Sequence, residues 1–155
     1  MSNFEKELYV DSLPADKFNA RWWELAKKYQ GMVPPTDRGE NYCDAVTKTH
    51  INDDPAQYYK YALSYVLLYQ MHNHIAKEIL HQDPRATNYY GHKEVGDFLR
   101  KIMCSGSSKD WRTVLKESTG DELNAKAMLE YFQPLVNWLK EQNKGRKYTL
   151  PEKMQ

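Results

Sequence analysis

Cysteine is nearly missing from this sequence: Cys43 and Cys104 are the only two in 155 residues. They are too few for a disulfide framework and lack metal-ligand spacing, so they read as free thiols. Also missing are a His-Glu-x-x-His helix motif, a Gly-x-Ser-x-Gly elbow and a glycine-rich phosphate loop. The chain therefore brings no metal-activated water, no serine nucleophile and no phosphate cradle of its own. Charge of one sign is lacking too, with 22 Lys and Arg against 21 Asp and Glu. The small cluster Lys144, Arg146 and Lys147 does not make the basic stripe that nucleic acid requires. The longest mainly apolar run, Ala62 to Leu68, falls far short of the roughly 20 residues of a transmembrane segment. The opening Met1 to Leu8 lacks the charged-then-apolar order of a signal peptide.

Aromatic residues are abundant instead: 12 Tyr and 4 Trp within a 41% hydrophobic chain. Such side chains need large surfaces to bury against, more than the core of one short segment supplies, which points to a missing partner surface. The length fits a single segment, 1–155, and no internal repeat or low-complexity tract divides it.

Periodicity predicts an all-α chain of about five helices with long irregular connections. Phe18, Trp22, Leu25, Ala26 and Tyr29 recur at helical spacing between Pro14 and Gly31, predicting a helix over 14–30. The stretch from Gly31 to Asp54, with Pro34, Pro35 and Gly39, reads as a long irregular connection. A central helix is expected from Pro55 to about Leu80, apolar almost all round between Ala62 and Leu68 and hence wrapped by other helices. Val95, Phe98, Leu99, Ile102 and Met103 predict the next helix, and Trp111, Val114 and Leu115 a short one capped at Ser107 and Ser108. The last, capped by Asp121, carries Met128, Phe132, Leu135 and Leu139, with Pro134 kinking it rather than ending it.

Few residues offer chemistry. His72 and His74 are two apart, so on a helix they diverge and cannot share a metal. Glu78 and His81 have the spacing of carboxylate-bridged metal bundles, but only one copy is present. Lys48, His50, Tyr58 and Tyr61 remain. In an extended segment Lys48 and His50 would share a side; Tyr58 and Tyr61, three apart on a helix, would do likewise. A cation, an imidazole and two phenols converging on a cleft could hold a peptide's terminal carboxylate and donate to its carbonyls. The same letters also fit a structural reading, with Tyr58, Ala62, Tyr65 and Tyr69 as a core stripe and Lys48 and His50 as surface residues.

At these residues the chain resembles the angiotensin-converting-enzyme family of zinc metallopeptidases. Trp22-Trp23, Lys28-Tyr29-Gln30-Gly31 and Pro34-Pro35 are similar to that family's WW…KYQG…PP run. Lys48-Thr49-His50-Ile51 followed by Tyr58-Tyr59-Lys60-Tyr61 resembles its Lys-x-His and Tyr-x-Arg-Tyr segments. Ala127 to Leu135 with Trp138-Leu139 resembles its C-terminal helix, and Lys60 to Tyr65 looks more like bacterial members than animal ones.

The resemblance implies a fragment, the C-terminal part, of a larger two-lobed helical peptidase that releases dipeptides from peptide C-termini. It implies that Lys48 and Tyr58 bind the substrate's free terminal carboxylate, that His50 hydrogen-bonds a substrate carbonyl, and that Tyr61 donates to the oxyanion. Tyr65 matches a position lining a side-chain pocket. Zinc, in the family, is held by an upstream His-Glu-x-x-His helix, so the partner implied is an upstream zinc-bearing part of the same protein, and no zinc ligand is expected in this chain. Lys60 stands where the family usually has an Arg that binds chloride, which leaves chloride dependence open. The connection from His50 to Tyr58 is one residue longer than in animal members, and their paired cysteines have no counterpart around Ile75 to Gly91. Bacterial relatives are commonly exported, which would place the protein in the cell envelope. The alternative from another class is a non-enzymatic helical protein that binds peptides or another partner.

Overall fold

The protein, seen in a computed structural model, is described over residues 1–149. It is all helical, with seven α-helices and no strand among the described residues. The described chain forms two compact units, one of Met1–Tyr61 with residues 145–149, the other of Ala62–Lys144.

In the first unit, α1 (Ser2–Tyr9) packs on α2 (Phe18–Gln30). The helix expected over 14–30 is found, with a 3-10 turn at Ala15–Lys17 in front of it and Gly31 in the left-handed conformation (φ 66°) closing it. Helix α1 has no counterpart among the expected helices. Eight residues are marginal as an isolated helix, and it is Phe4 that holds this one. Its ring is 1% exposed and meets Phe18 and Trp22 edge-on at 6.4 and 5.5 Å. Phe4, Leu25, Ala45 and Ile51 form the core here.

The connection after Gly31 is irregular as expected, but it is held down firmly. Asn19 on α2 is fully buried; its Nδ2 donates to the carbonyls of Arg38 (3.3 Å) and Gly39 (3.2 Å), and its Oδ1 accepts the Asp44 N–H (2.9 Å). Glu40 returns the contact, its carboxylate accepting the N–H groups of Asn19 and Ala20, both at 2.8 Å, in the first turn of α2. A carboxylate there satisfies amides that the helix leaves open. Asp44 is gripped by Arg38 through two hydrogen bonds, of 2.7 and 2.6 Å, and by the Trp23 indole N–H at 2.9 Å. The Arg38 guanidinium, then Trp23 and Asn19, hold the Asp44 carboxyl below the usual carboxylate range against the opposing effect of burial. Arg21 does the same for Glu7, at 2.6 Å. So anchored, the chain turns through a 3-10 segment, Asp44–Thr47, into one turn of helix, α3 (Thr49–Asn52).

The central helix, α4 (Tyr59–His74), starts later than Pro55 because Ala56 adopts a left-handed conformation (φ 58°) that no α-helix continues through. It widens at its end into a π-helical segment, Ile75–Ile79. Its first turn lies in the first unit and the rest in the second. The expectation that Ala62 to Leu68 is wrapped by other helices is not met in this chain: Leu63, Tyr65 and Leu68 are exposed.

Within the second unit, α5 (Lys93–Met103) packs on α6 (Trp111–Thr119) and on the π-helical segment around Ile75, Ala76 and Val95. The cap of α6 is Asp110, whose carboxylate accepts the Arg112 N–H at 2.9 Å, rather than Ser107 or Ser108. The last helix, α7 (Lys126–Gln142), starts after Asp121 because Gln70 of α4 pins the preceding segment. Gln70 donates to the Glu122 carbonyl (2.9 Å) and accepts the Asn124 N–H (3.2 Å). Pro134 sits inside α7, which continues through it. Tyr69 joins Tyr131 and Phe132 of α7 in a ring cluster with centroids 5.0 and 5.2 Å away. No described helix is long and apolar enough to cross a membrane.

Asn19→Ala leaves part-buried backbone groups at three positions without partners and is expected to cost about 1–2 kcal/mol in urea unfolding, with loss of hydrogen-exchange protection at the Asp44 amide. A lowered folded pKa means that Asp44 and Glu7 bind protons more weakly folded than unfolded. Their stabilisation is then complete above the unfolded carboxylate values of about 4 and is lost as pH falls through the lowered folded ones. Asp44→Asn is accordingly expected to lower the urea midpoint at about pH 6 and to change it little at about pH 2.

Candidate functional site

The Lys48 to Tyr61 stretch does converge, though by a different local geometry from the expected one. Lys48 is extended (φ −86°, ψ 114°), but His50 belongs to the single turn of α3, so the two do not share one side of a strand. The physical cause is local: the Ile51 amide donates to the Lys48 carbonyl at 2.9 Å and the Asp53 amide to Thr49 at 2.7 Å, curling the segment. Ile51 then enters the core beside Phe4.

His50 meets both phenols. Its Nε2 is 3.2 Å from the Tyr61 hydroxyl, and its ring stands edge-on to Tyr58 at 5.1 Å and to Tyr61 at 5.7 Å. The two tyrosine rings are 5.1 Å apart, so three rings form one cluster. The start of α4 fixes the phenols, since the Tyr61 amide donates to the Tyr58 carbonyl and the Lys60 amide to Gln57. Lys60 spends its ammonium in the same turn, on the Gln57 side-chain oxygen at 2.6 Å. Upstream of that turn, Ala56 keeps its left-handed backbone at a steric cost of about 1–2 kcal/mol, so something must hold it. Glu5 does: its carboxylate accepts the Ala56 N–H at 2.7 Å.

Lys48 and Tyr58 line a cavity of about 430 Å³ in the first unit, walled by Trp22, Leu25, Ala26 and Met32 and edged by Asn3 and Tyr29. Among the described residues the Lys48 ammonium has no carboxylate partner, which is also true of Lys17, Lys27, Lys28 and Lys60; the paired cations of this unit are Lys6 with Asp11, Arg21 with Glu7 and Arg38 with Asp44. An unpaired ammonium and a phenol beside an apolar wall suit an anion carried on an apolar body. Asn3, whose amide donates to the Tyr29 hydroxyl at 2.7 Å, was invisible to sequence reasoning because α1 was. Trp22 and Tyr29 were legible as members of the α2 stripe and of the family-like WW and KYQG runs, but not as walls of a cavity. Tyr65 lies in the second unit and is exposed, and it is not part of this cluster.

The second unit has a larger cavity, about 810 Å³, lined among others by Tyr69, His72, Lys77, Arg85, Glu130 and Tyr131. Four of its five charged side chains are engaged: Lys77 meets Glu130 at 3.3 Å and Arg85 lies 3.6 Å from Asp83, while Lys126 has no carboxylate partner among the described residues. Its histidine is occupied as well, with Nε2 2.6 Å from the Pro84 carbonyl oxygen and Nδ1 against the Tyr89 hydroxyl. Burial raises the Tyr89 phenol above its ordinary pKa. His74 stacks on Phe98, and His81 bonds the Lys77 carbonyl at 3.0 Å. No three His, Cys, Asp or Glu residues gather where they could hold a metal ion among the described residues. These residues do not fit a zinc centre.

Comparison with known proteins gives the family. Residues 1–150 match the family described as angiotensin-converting enzyme. The mouse angiotensin-converting enzyme is 42% identical over 132 residues, which is 84% of this chain and 10% of the mouse protein. The cattle enzyme is 41% identical over the same length. The enzyme of the leech Theromyzon tessulatum is 35% identical over 135 residues, 85% of this chain and 22% of the leech protein. The chain thus spans a tenth to about a fifth of the length of these relatives.

Proposed function

Because this chain belongs to the angiotensin-converting-enzyme family, we propose that it is the substrate-gripping part of a zinc metallopeptidase that removes dipeptides from peptide C-termini. The observation carrying this reading is the unpaired Lys48 ammonium beside Tyr58 at an apolar cavity, with His50 and Tyr61 clustered against the same tyrosine. Lys48 and Tyr58 receive the terminal carboxylate of the peptide, the cation by charge and the phenol by hydrogen bond. That pairing makes cleavage count from the C-terminus. His50 bonds a substrate carbonyl, and Tyr61 donates to the carbonyl oxygen on which negative charge develops; loss of such a donor typically slows an enzyme about 100- to 1,000-fold.

Tyr65, exposed on α4, serves a substrate side chain in this reading. The zinc and the base that activates water come from a part of the protein upstream of these residues, against which the exposed apolar positions of α4 pack. Lys60 bonds the neutral Gln57 oxygen with one of its three donors, which leaves its charge unpaired there and chloride dependence open.

Magnitudes decide where affinity comes from. Lys48 is exposed, and an exposed ion pair contributes at most about 1 kcal/mol, roughly fivefold. The apolar wall supplies the rest, at about 25 cal/mol per Å² buried. Titrating the 155-residue chain with a short peptide bearing a free C-terminus is therefore expected to give about fivefold tighter binding than the amidated peptide, and Lys48→Ala should abolish the difference. Equal affinity for both peptides in the unmodified chain would reject the carboxylate site. Incubated with zinc and peptide, the isolated chain is expected to release no dipeptide by mass spectrometry; measurable release would overturn the division of labour.

A further inference from the structure

The segment between His50 and Tyr58 is held at both ends by a single short helix. On α1, Glu5 and Tyr9 are four residues apart and so share a face. Tyr9 donates its hydroxyl to the Ile51 carbonyl at 3.5 Å, next to His50. Glu5 accepts the Ala56 N–H at 2.7 Å, two residues before Tyr58. Phe4, between them and the core, packs with Ile51. The arrangement is a clasp around residues 51–56, and the groups it separates are the imidazole and the phenols that must meet.

Glu5 is the informative half. It is 3% exposed, and no lysine or arginine pairs with it among the described residues; the cation that acts on it is the Met1 ammonium, which it favours against the effect of burial. A carboxylate is poorly suited to such burial unless its hydrogen bond is needed. The bond it makes goes to Ala56, whose left-handed backbone is unfavourable for any residue with a Cβ. Freed from Glu5, Ala56 would relax toward negative φ, and the chain beyond it, from Gln57 into the first turn of α4, would leave a different way.

We infer that Glu5 is a positioning residue of the His50, Tyr58 and Tyr61 cluster, acting through the backbone of Ala56 to set both phenols against the imidazole. The inference rests on the carboxylate-binding reading for its functional consequence, but its geometric content can be measured without any peptide.

The test is NMR of the His50 ring in the 155-residue chain, because ring protons beside two edge-on tyrosines carry ring-current shifts that vanish when the rings separate. Glu5→Leu removes the acceptor while keeping an apolar side chain in place, and is expected to move the His50 signals toward those of a Tyr58→Leu variant, with the α2 amides unchanged. Glu5→Gln keeps an acceptor oxygen and should retain the native shifts. Adding Ala56→Gly to Glu5→Leu removes the Cβ cost of the left-handed turn and should bring the signals at least halfway back, a rescue that a merely space-filling Glu5 would not show. Should Glu5→Leu not fold, Glu5→Met removes the acceptor while keeping an unbranched side chain of similar length and must produce the same displacement. Native His50 shifts in Glu5→Leu, or in Glu5→Met, overturn the inference, as does failure of glycine to restore them. In peptide titrations Glu5→Leu is expected to lose the roughly fivefold preference for a free C-terminus. If His50 moves as expected while the unmodified chain shows no such preference, the carboxylate reading fails and the positioning role stands.

Discussion

A primary amide taken fully out of water has to find partners for its donors and its acceptor, and Asn19 finds them all on one loop. The consequence runs down the chain. With Arg38, Gly39 and Asp44 fixed to α2, the 3-10 turn and α3 can only begin where they do, and Ile51 is delivered to Phe4. Glu40 answers from the loop by closing the first amides of α2. Helix and loop each satisfy what the other leaves open, so neither end of the contact is expendable. Lys48, His50 and the start of α4 stand where this mutual grip leaves them.

Size is a poor guide to which hollow is chemical. The larger cavity has Lys77 and Arg85 paired with Glu130 and Asp83 and its imidazole occupied on both sides. The smaller one has an ammonium, beside the Tyr58 phenol, with no carboxylate partner among the described residues. Lys48 is itself exposed, so what sets this hollow apart is the apolar wall that an ammonium and a phenol share. The residues that mark it, Lys48 to Tyr61, are also near neighbours in sequence. Their arrangement depends on local turns and one brace, which is why a short stretch of a much longer family can carry it.

Periodicity located the helices that bury a stripe: α2 up to its terminal Gly31, α5, and α6 up to Gly120. It missed where side chains far away in sequence decide a boundary. Nothing near Pro55 announces that Ala56 will turn left-handed, because the cause is Glu5. Nothing near Asp121 announces that Gln70 will hold residues 122–124 out of the helix. Helix α1 was illegible for the same reason, eight residues being stabilised by the partners of Phe4 rather than by themselves. At the site, residue types and family resemblance named Lys48, His50, Tyr58 and Tyr61 together. The backbone that joins them was misjudged, one turn of helix replacing an extended run.

Leu63, Tyr65 and Leu68 on α4 and Leu129, Leu135, Trp138 and Leu139 on α7 lie open to water in the folded chain. Unfolding exposes little that is new at these positions, so they add little to the heat-capacity increment, which follows freshly hydrated apolar area. The curvature of this chain's stability with temperature is then governed by its few sealed residues, such as Phe4, Ile75 and Val95. For all its tyrosine and tryptophan, it behaves thermally as a smaller protein than its length suggests, with a shallow stability dome and a broad approach to both its cold and its hot limits.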